Sequence, residues 1–437
     1  MGGVAEVVFA NDTVNVATTL GRPVALNHPY ATDTFRENLR YGSYYITAFA
    51  TAGFTNEFLN YVHLLYLAFL TERIPIVPPF APHEHISWET PPIRFSKIFN
   101  ITSFQSMLGR PILDWEDVKK TQPATPSSKR YSYSSNNTEN VGCWSTRVRT
   151  EPKPADPANL VKLLGIDASY TRVPDFAFME RDNLNSPHVT FHALAATIAP
   201  KHPYSASNLP LLAASPSGST LTPDTQLACY DFLYYVTSGV ESFEWQHSWS
   251  PRMEPGRQEL ALHSRVPSTL RQQPGTRRLW RTMLIEFTLP NLPFCPFIQM
   301  ITVHIRRGDF AQQCWVDKPC RTGTEKFAQA VQDVKKQLAE ERGLDVTSVF
   351  VTSDERDPGF WDEVKHLGWK FIDHEAERTL ERYNGWYPAL IDTVALSFGV
   401  GFVGTLDSTF STLSAKRVGI GMTGSPNWCT GTFRWVL

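Results

Sequence analysis

The stretch His304-Ile305-Arg306-Arg307-Gly308-Asp309-Phe310 gathers two guanidinium groups, an imidazole and a carboxylate. A guanidinium is planar and permanently charged, so it can hold two phosphate oxygens at once. When a diphosphate leaves a carbon centre, charge grows on the departing oxygen, and a fixed arginine there stabilises the transition state preferentially. Gly308 would let backbone come close, and Asp309 could hold an arginine or a substrate hydroxyl. From composition alone, a salt-bridged turn at a strand end is the commoner use of such residues.

Three other stretches carry comparable chemistry. Asp354 follows the run V-T-S-V-F-V-T-S, where an acidic residue past a strand can accept bonds from a ribose hydroxyl or a base edge. Ser353 and Asp354 also qualify as helix N-caps. Gly404-Thr405-Leu406-Asp407-Ser408-Thr409-Phe410-Ser411 precedes a helical stretch, and hydroxyls with backbone N–H groups at a helix start suit an anion as well as ordinary capping. In Ala52-Gly53-Phe54-Thr55-Asn56-Glu57, Asn56 offers a donor and an acceptor and Glu57 a carboxylate. Both also suit the first turn of a helix, Glu57 especially.

Other chemistries lack their signatures. The sequence has no D-x-D pair, no G-x-x-x-x-G-K-[ST] loop, no G-x-G-x-x-G and no H-E-x-x-H. His83 and His85 flank Glu84 in a proline-rich loop without an evident third ligand, and read as surface residues. No metal site is expected, and arginine must then do the work of a cation.

The elements that would position these residues form two alternating series. Tyr44–Ala50 reads as a buried strand, Phe54, Phe58, Tyr61, Val62, Leu65 and Phe69 mark a helix to about Glu72, and Ile74–Val77 is a second strand. The stretch from Pro111 to Pro157 is polar and reads as loops or an insertion. Residues 188–236 recover order, whereas 250–290 show no sustained period. Phe297–His304 reads as a strand, Glu325–Arg342 as an amphipathic helix and Val346–Thr352 as a strand. Phe360–Leu367 then suits a helix, Trp369–Ile372 a strand, Pro388–Phe398 a helix and Gly401–Thr405 a strand before another helix. The last twenty residues resist assignment. Two βαβ-type halves predict an α/β protein with its site in the crevice between them.

Length and composition agree. A chain of 437 residues exceeds a single core, 42% hydrophobic residues exclude a mostly disordered chain, and a net charge of −2 argues against a nucleic-acid partner. No run is long and apolar enough for a transmembrane segment, and the first residues lack the pattern of a signal peptide. Six cysteines include no C-x-x-C pair; Cys314 and Cys320 are near enough to close a small disulfide loop, and reduced thiols are as reasonable. Sequons at Asn11, Asn100 and Asn136 are compatible with secretion.

Four segments resemble, in order, those of the GDP-fucose-dependent protein O-fucosyltransferases, nearest to fungal members. HIRRGDF looks like the H-x-R-x-G-D-type motif, VFVTSDE like the strand ending in an acidic residue, VGTLDSTFSTLS like the Ser-Thr-Phe-Ser segment and AGFTNEF like the first glycine turn. They span Tyr44 to Arg417. The resemblance implies a GT-B-like fold, two Rossmann-like domains with the active site in the cleft between them. On this reading 1–40 is an irregular segment, 41–245 the acceptor-side domain and 246–437 the GDP-sugar-binding domain.

It further implies inverting transfer of fucose from GDP-fucose to a Ser or Thr hydroxyl of a protein, with no metal or other cofactor. The alternatives are transfer to a glycan, or a catalytically silent GDP-sugar-binding homologue. Arg306 would contact the β-phosphate, with Arg307 of the same chemistry beside it. His304, Gly308 and Asp309 would position the donor and Asp354 the nucleoside. Ser408, Thr409 and Phe410 would bind phosphate and base, and Gly53, Phe54 and Asn56 would lie near the fucose. Some members carry a catalytic glutamate just before Gly-Phe, where this chain has Ala52. Glu57 is then the candidate base, beside water or a strongly dissociative route. The family resemblance suggests the ER or Golgi lumen, which the N-terminal residues do not signal.

Overall fold

The structure is a computed structural model that describes residues 25–49, 52–83, 85–122, 124–126, 131–133, 138–147, 158–178, 189–198, 212–234, 236–237, 299–308, 310, 322–406, 408–420 and 432–436. The stretch 250–290, the pair Cys314 and Cys320, and the candidate residue Asp309 lie outside these residues.

Two sheet regions with helices packed around them give a GT-B-like architecture of two Rossmann-like units. The first contains β1 (Tyr45–Ala48), β2 (Ile74–Val77), β3 (Leu113–Asp114), β6 (Glu139–Ser145), β7 (Ile166–Arg172), β9 (Leu212–Ala213) and β10 (Leu227–Tyr230). Their order is β3-β2-β1-β10-β6-β7-β9, parallel except where β9 joins β7. Strand side chains alternate between faces, and here both faces are covered. Ile46, Ala48, Ala228 and Tyr230 enter one core, whereas Tyr45, Leu227 and Cys229 enter another. Small pairings, β4 (Ala124–Pro126) with β5 (Tyr131–Tyr133) and β8 (Val189–Thr190) with β11 (Val236–Thr237), lie outside this sheet.

The helix Phe54–Thr71 follows β1, as its periodicity predicts, and is buried almost all round. Two of its interior polar residues meet one segment: Asn60 Oδ1 accepts the Leu233 N–H at 2.7 Å, and His63 Nδ1 lies 2.7 Å from the Leu233 carbonyl. Burial lowers the His63 pKa to about 4, so its imidazole is neutral and Nδ1 carries the donated proton.

The second region is a parallel sheet in the order β13 (Ser348–Ser353), β12 (Met300–Ile305), β14 (Gly401–Thr405), β15 (Thr432–Val436). Ile301, Val303 and Ile305 of β12 meet Phe327, Val331 and Val334 of the helix Thr324–Arg342, together with Phe360 and Val364 of the helix Pro358–His366. The alternate residues Thr302 and His304 face the helices Tyr387–Leu396 and Thr409–Ile420. An apolar seam joins the two regions: Trp386, Leu390 and Leu413 are part of the first region's core. Trp386 packs near Phe54 and Phe80 while its indole N–H donates to the Pro91 carbonyl at 2.8 Å.

Three sequence expectations are corrected. The stretch 111–157 is no mere insertion, because it supplies β6, an interior strand. Its small residues disguised it: at Gly142 a β-carbon would overlap the Thr222 backbone carbonyl. Trp369–Ile372 is not a strand; only Lys370 bridges to Phe350, donating to the Val349 carbonyl and accepting from the Val351 N–H. Finally, the last twenty residues include β15, whose partner β14 gives it a ladder that local pattern did not reveal.

Candidate active site

Arg306 and Arg307 begin where β12 ends, and strand alternation sends them to opposite sides. Arg307 lies over the Phe360 ring at 4.7 Å, donates to the Thr322 carbonyl at 3.1 Å and pairs with Glu355 at 3.6 Å. It is thus engaged by the second region's own core. Arg306 continues on the side of His304 and Thr302. Its Nη1 is ion-paired with Asp354, and its Nη2 lies 2.6 Å from His85 Nε2 of the first region. Sequence left the two arginines chemically equivalent; packing separates them.

Asp354 follows β13 directly. Because Ile305 pairs with Ser353, the next residues on the two strands come together. Besides the Arg306 guanidinium, the Asp354 carboxylate accepts the Arg307 backbone N–H at 2.8 Å. Gly308 lets this happen, since a β-carbon there would overlap the carboxylate. Its role is to admit a side chain of its own protein.

Behind Arg306, hydroxyls lock the strand ends. Thr405 Oγ1 accepts the Arg306 N–H at 2.8 Å and reaches the His304 carbonyl at 3.2 Å. Ser411 Oγ lies 2.6 Å from His304 Nδ1 and accepts the Thr405 N–H at 3.1 Å. The His304 ring meets Phe410 with centroids 4.7 Å apart. Burial lowers the His304 pKa to about 3, opposed by the Asp354 charge and assisted by that of Arg306. Ser408 is largely committed to capping: its Oγ accepts the Ser411 N–H at 3.3 Å and its carbonyl the Thr412 N–H at 2.9 Å. Thr409 is half-buried in the first turn.

Across the seam, Gly53 caps the helix Phe54–Thr71 without a side chain. Asn56 and Glu57 donate their backbone N–H groups to the Gly53 carbonyl. The place of a β-carbon on Gly53 is 3.7 Å from His85 Cδ2, so the glycine turn, His85 and Arg306 are consecutive neighbours. Asn56 Oδ1 is buried without a hydrogen-bond partner among the described residues. Phe54 packs into the apolar seam instead.

Glu57 is only 1% exposed, and its carboxyl lies against the Ala81 backbone. Burial pushes its carboxyl well above the ordinary carboxylate range. A carboxyl shut from solvent is poorly placed to take a proton from an acceptor that arrives from outside.

The fold therefore assembles His304, Arg306, Gly308, Asp354 and Phe410, with the Gly53 turn opposite them. Sequence reasoning omitted Thr405 and Ser411 from the site, although both stand in the segment singled out before the last helix. It assigned His85 to the surface, and no local signal ties that loop to Arg306. Among the described residues no group of three or more His, Cys, Asp or Glu side chains is placed to hold a metal, and no helix is long and apolar enough to cross a membrane.

No protein-family model and no curated protein matches the chain. Solved structures do. The chain is similar to POFUT1 in complex with GDP, at 14% identity and a TM-score of 0.46, over 90% of this chain and 98% of that one. POFUT1 in complex with GDP-fucose gives the same identity and score, over 90% and 97%. NodZ alpha-1,6-fucosyltransferase soaked with GDP-fucose matches at 12% identity and a TM-score of 0.35, over 86% and 93%.

Proposed function

We propose that the chain is a metal-independent inverting glycosyltransferase that moves fucose from GDP-fucose to a Ser or Thr hydroxyl of a protein. The observation that carries this reading is the placement of Arg306 between Asp354 and His85, where the second sheet region faces the glycine turn of the first. Residues 246–437 would hold the donor and residues 41–245 the acceptor side.

In this reading the acceptor oxygen bonds to the anomeric carbon from the face opposite the diphosphate. The bond from that carbon to the β-phosphate oxygen breaks, and its electron pair leaves with GDP. Asp354 fixes one arm of the Arg306 fork, while the other meets a neutral imidazole that an anionic phosphate oxygen outcompetes. Charge developing on that oxygen is stabilised by a cation already in place. Asn56 Oδ1, without a partner among the described residues, and the helix N-terminus at Gly53 suit the sugar and its phosphate.

The buried Cys143–Cys229 disulfide supports an oxidising compartment such as the ER or Golgi lumen. Calorimetry with GDP and GDP-fucose, followed by a fucose-release assay, tests the function. Micromolar binding with turnover is expected. Absence of binding overturns the reading, and binding without turnover marks a silent GDP-sugar binder.

A further inference from the structure

We propose that His85 is the general base of the reaction, an inference that rests on the fucosyl-transfer reading above. The attacking hydroxyl must lose a proton as its oxygen bonds to carbon, and a positioned imidazole is the commonest acceptor. His85 Nε2 lies 2.6 Å from Arg306 Nη2. A guanidinium carries donors and no acceptor, so Nε2 presents its lone pair and the ring is neutral, with its proton on Nδ1. The structure thus holds an imidazole in its basic form beside the cation that eases departure.

Among the described residues, the other candidates at the site are engaged or enclosed. Glu57 is buried out of reach of solvent. His304 is buried with Nδ1 against Ser411. Asp354 binds the Arg306 side chain and the Arg307 backbone. His85 is exposed, so an acceptor arriving from solvent can reach it. It also borders Gly53, where the absence of a side chain leaves room.

When a diphosphate oxygen takes the place of His85 at Arg306 Nη2, the Nε2 lone pair is left for the acceptor. The O–H proton passes to Nε2, the oxygen bonds to the anomeric carbon, and GDP leaves with the electron pair of the broken C–O bond. The imidazolium then returns its proton to solvent.

GDP-fucose hydrolysis, with water as acceptor, provides the test, because no protein substrate is required. His85→Ala and His85→Gln are expected to bind GDP as the native chain does, yet to lose about 10²–10⁴-fold in turnover. Azide is an anionic nucleophile with no proton to remove, so adding it should restore GDP release in His85→Ala and yield fucosyl azide. Native-like turnover in His85→Gln, whose amide oxygen can still accept from Arg306, would reduce His85 to a positioning residue and overturn the proposal. So would failure of azide to rescue His85→Ala. If the native chain itself releases no fucose, the transferase reading fails and this inference falls with it, a result distinct from native turnover that His85→Ala retains.

Discussion

Arg306 and Asp354 stand one residue beyond the paired ends of β12 and β13, and the Asp354 carboxylate binds both the Arg306 guanidinium and the Arg307 backbone N–H. One acidic side chain thereby fixes the start of the loop and the direction of its first arginine.

Replacing Arg306 should remove turnover without unfolding the protein. The side chain is 14% exposed and lies at the end of the sheet, outside the core. Arg306→Ala is expected to lower kcat by about 10²–10³-fold, the usual effect of losing one preorganised donor from a site of developing charge. Arg306→Lys should recover little, because a single ammonium cannot reproduce a planar fork that holds Asp354 with one arm and a phosphate oxygen with the other. Steady-state kinetics together with an unchanged circular dichroism spectrum would check both.

Gly308→Ala tests the clamp from the other side. The added methyl group overlaps the Asp354 carboxylate, the far end of a side chain that can rotate away. Stability should change little, whereas Arg306 loses its fixed partner. Turnover is expected to fall by more than tenfold while thermal unfolding stays near the native value; native kinetics would show that the clamp is dispensable.

Ser411→Ala should affect both stability and the site. Its hydroxyl is fully buried and serves His304 Nδ1 and the Thr405 N–H together. Leaving those groups unsatisfied costs about 1–3 kcal/mol. A urea titration would measure it, and weaker GDP binding should accompany it, since Thr405 also holds the Arg306 backbone.

The Cys143–Cys229 disulfide links β6 to β10 across 86 residues of sequence. Closing so long a loop restricts the unfolded chain, and its loss is expected to cost about 2–4 kcal/mol. Comparing unfolding of the native chain with Cys143→Ala/Cys229→Ala, in matched non-reducing buffer, would reveal it.

Acidity should act on stability through His63. Its folded pKa of about 4 lies below the ordinary value of 6.5, so between those values the unfolded chain binds the extra proton and stability rises with pH. Buried Glu57 and Glu116, the latter pushed up to about 7, oppose this, because their protonated forms favour the folded state at lower pH. A difference measurement separates the effects. The stability advantage of the native chain over His63→Asn should grow between pH 4 and 6.5, by up to about 1.4 kcal/mol per pH unit. An advantage independent of pH would show that His63 titrates normally when folded.

Local patterns along the chain were enough to read the parallel α/β character and the main elements. The β-rich runs at β1 and β12, the helical period after Gly53 and the motif at His304 are local patterns, legible without the rest of the chain. The sequence also marked Arg306 and Asp354 as groups with suitable chemistry. Tertiary structure alone decided which arginine faces the other sheet region, because alternation past a strand end has meaning only once both faces have neighbours. Likewise, β6 carries glycine where Thr222 crosses it, β15 takes its ladder from β14, and His85 meets Arg306 only because the Trp386 seam brings distant loops together. Such contacts depend on packing between residues far apart in sequence, and no local period records them.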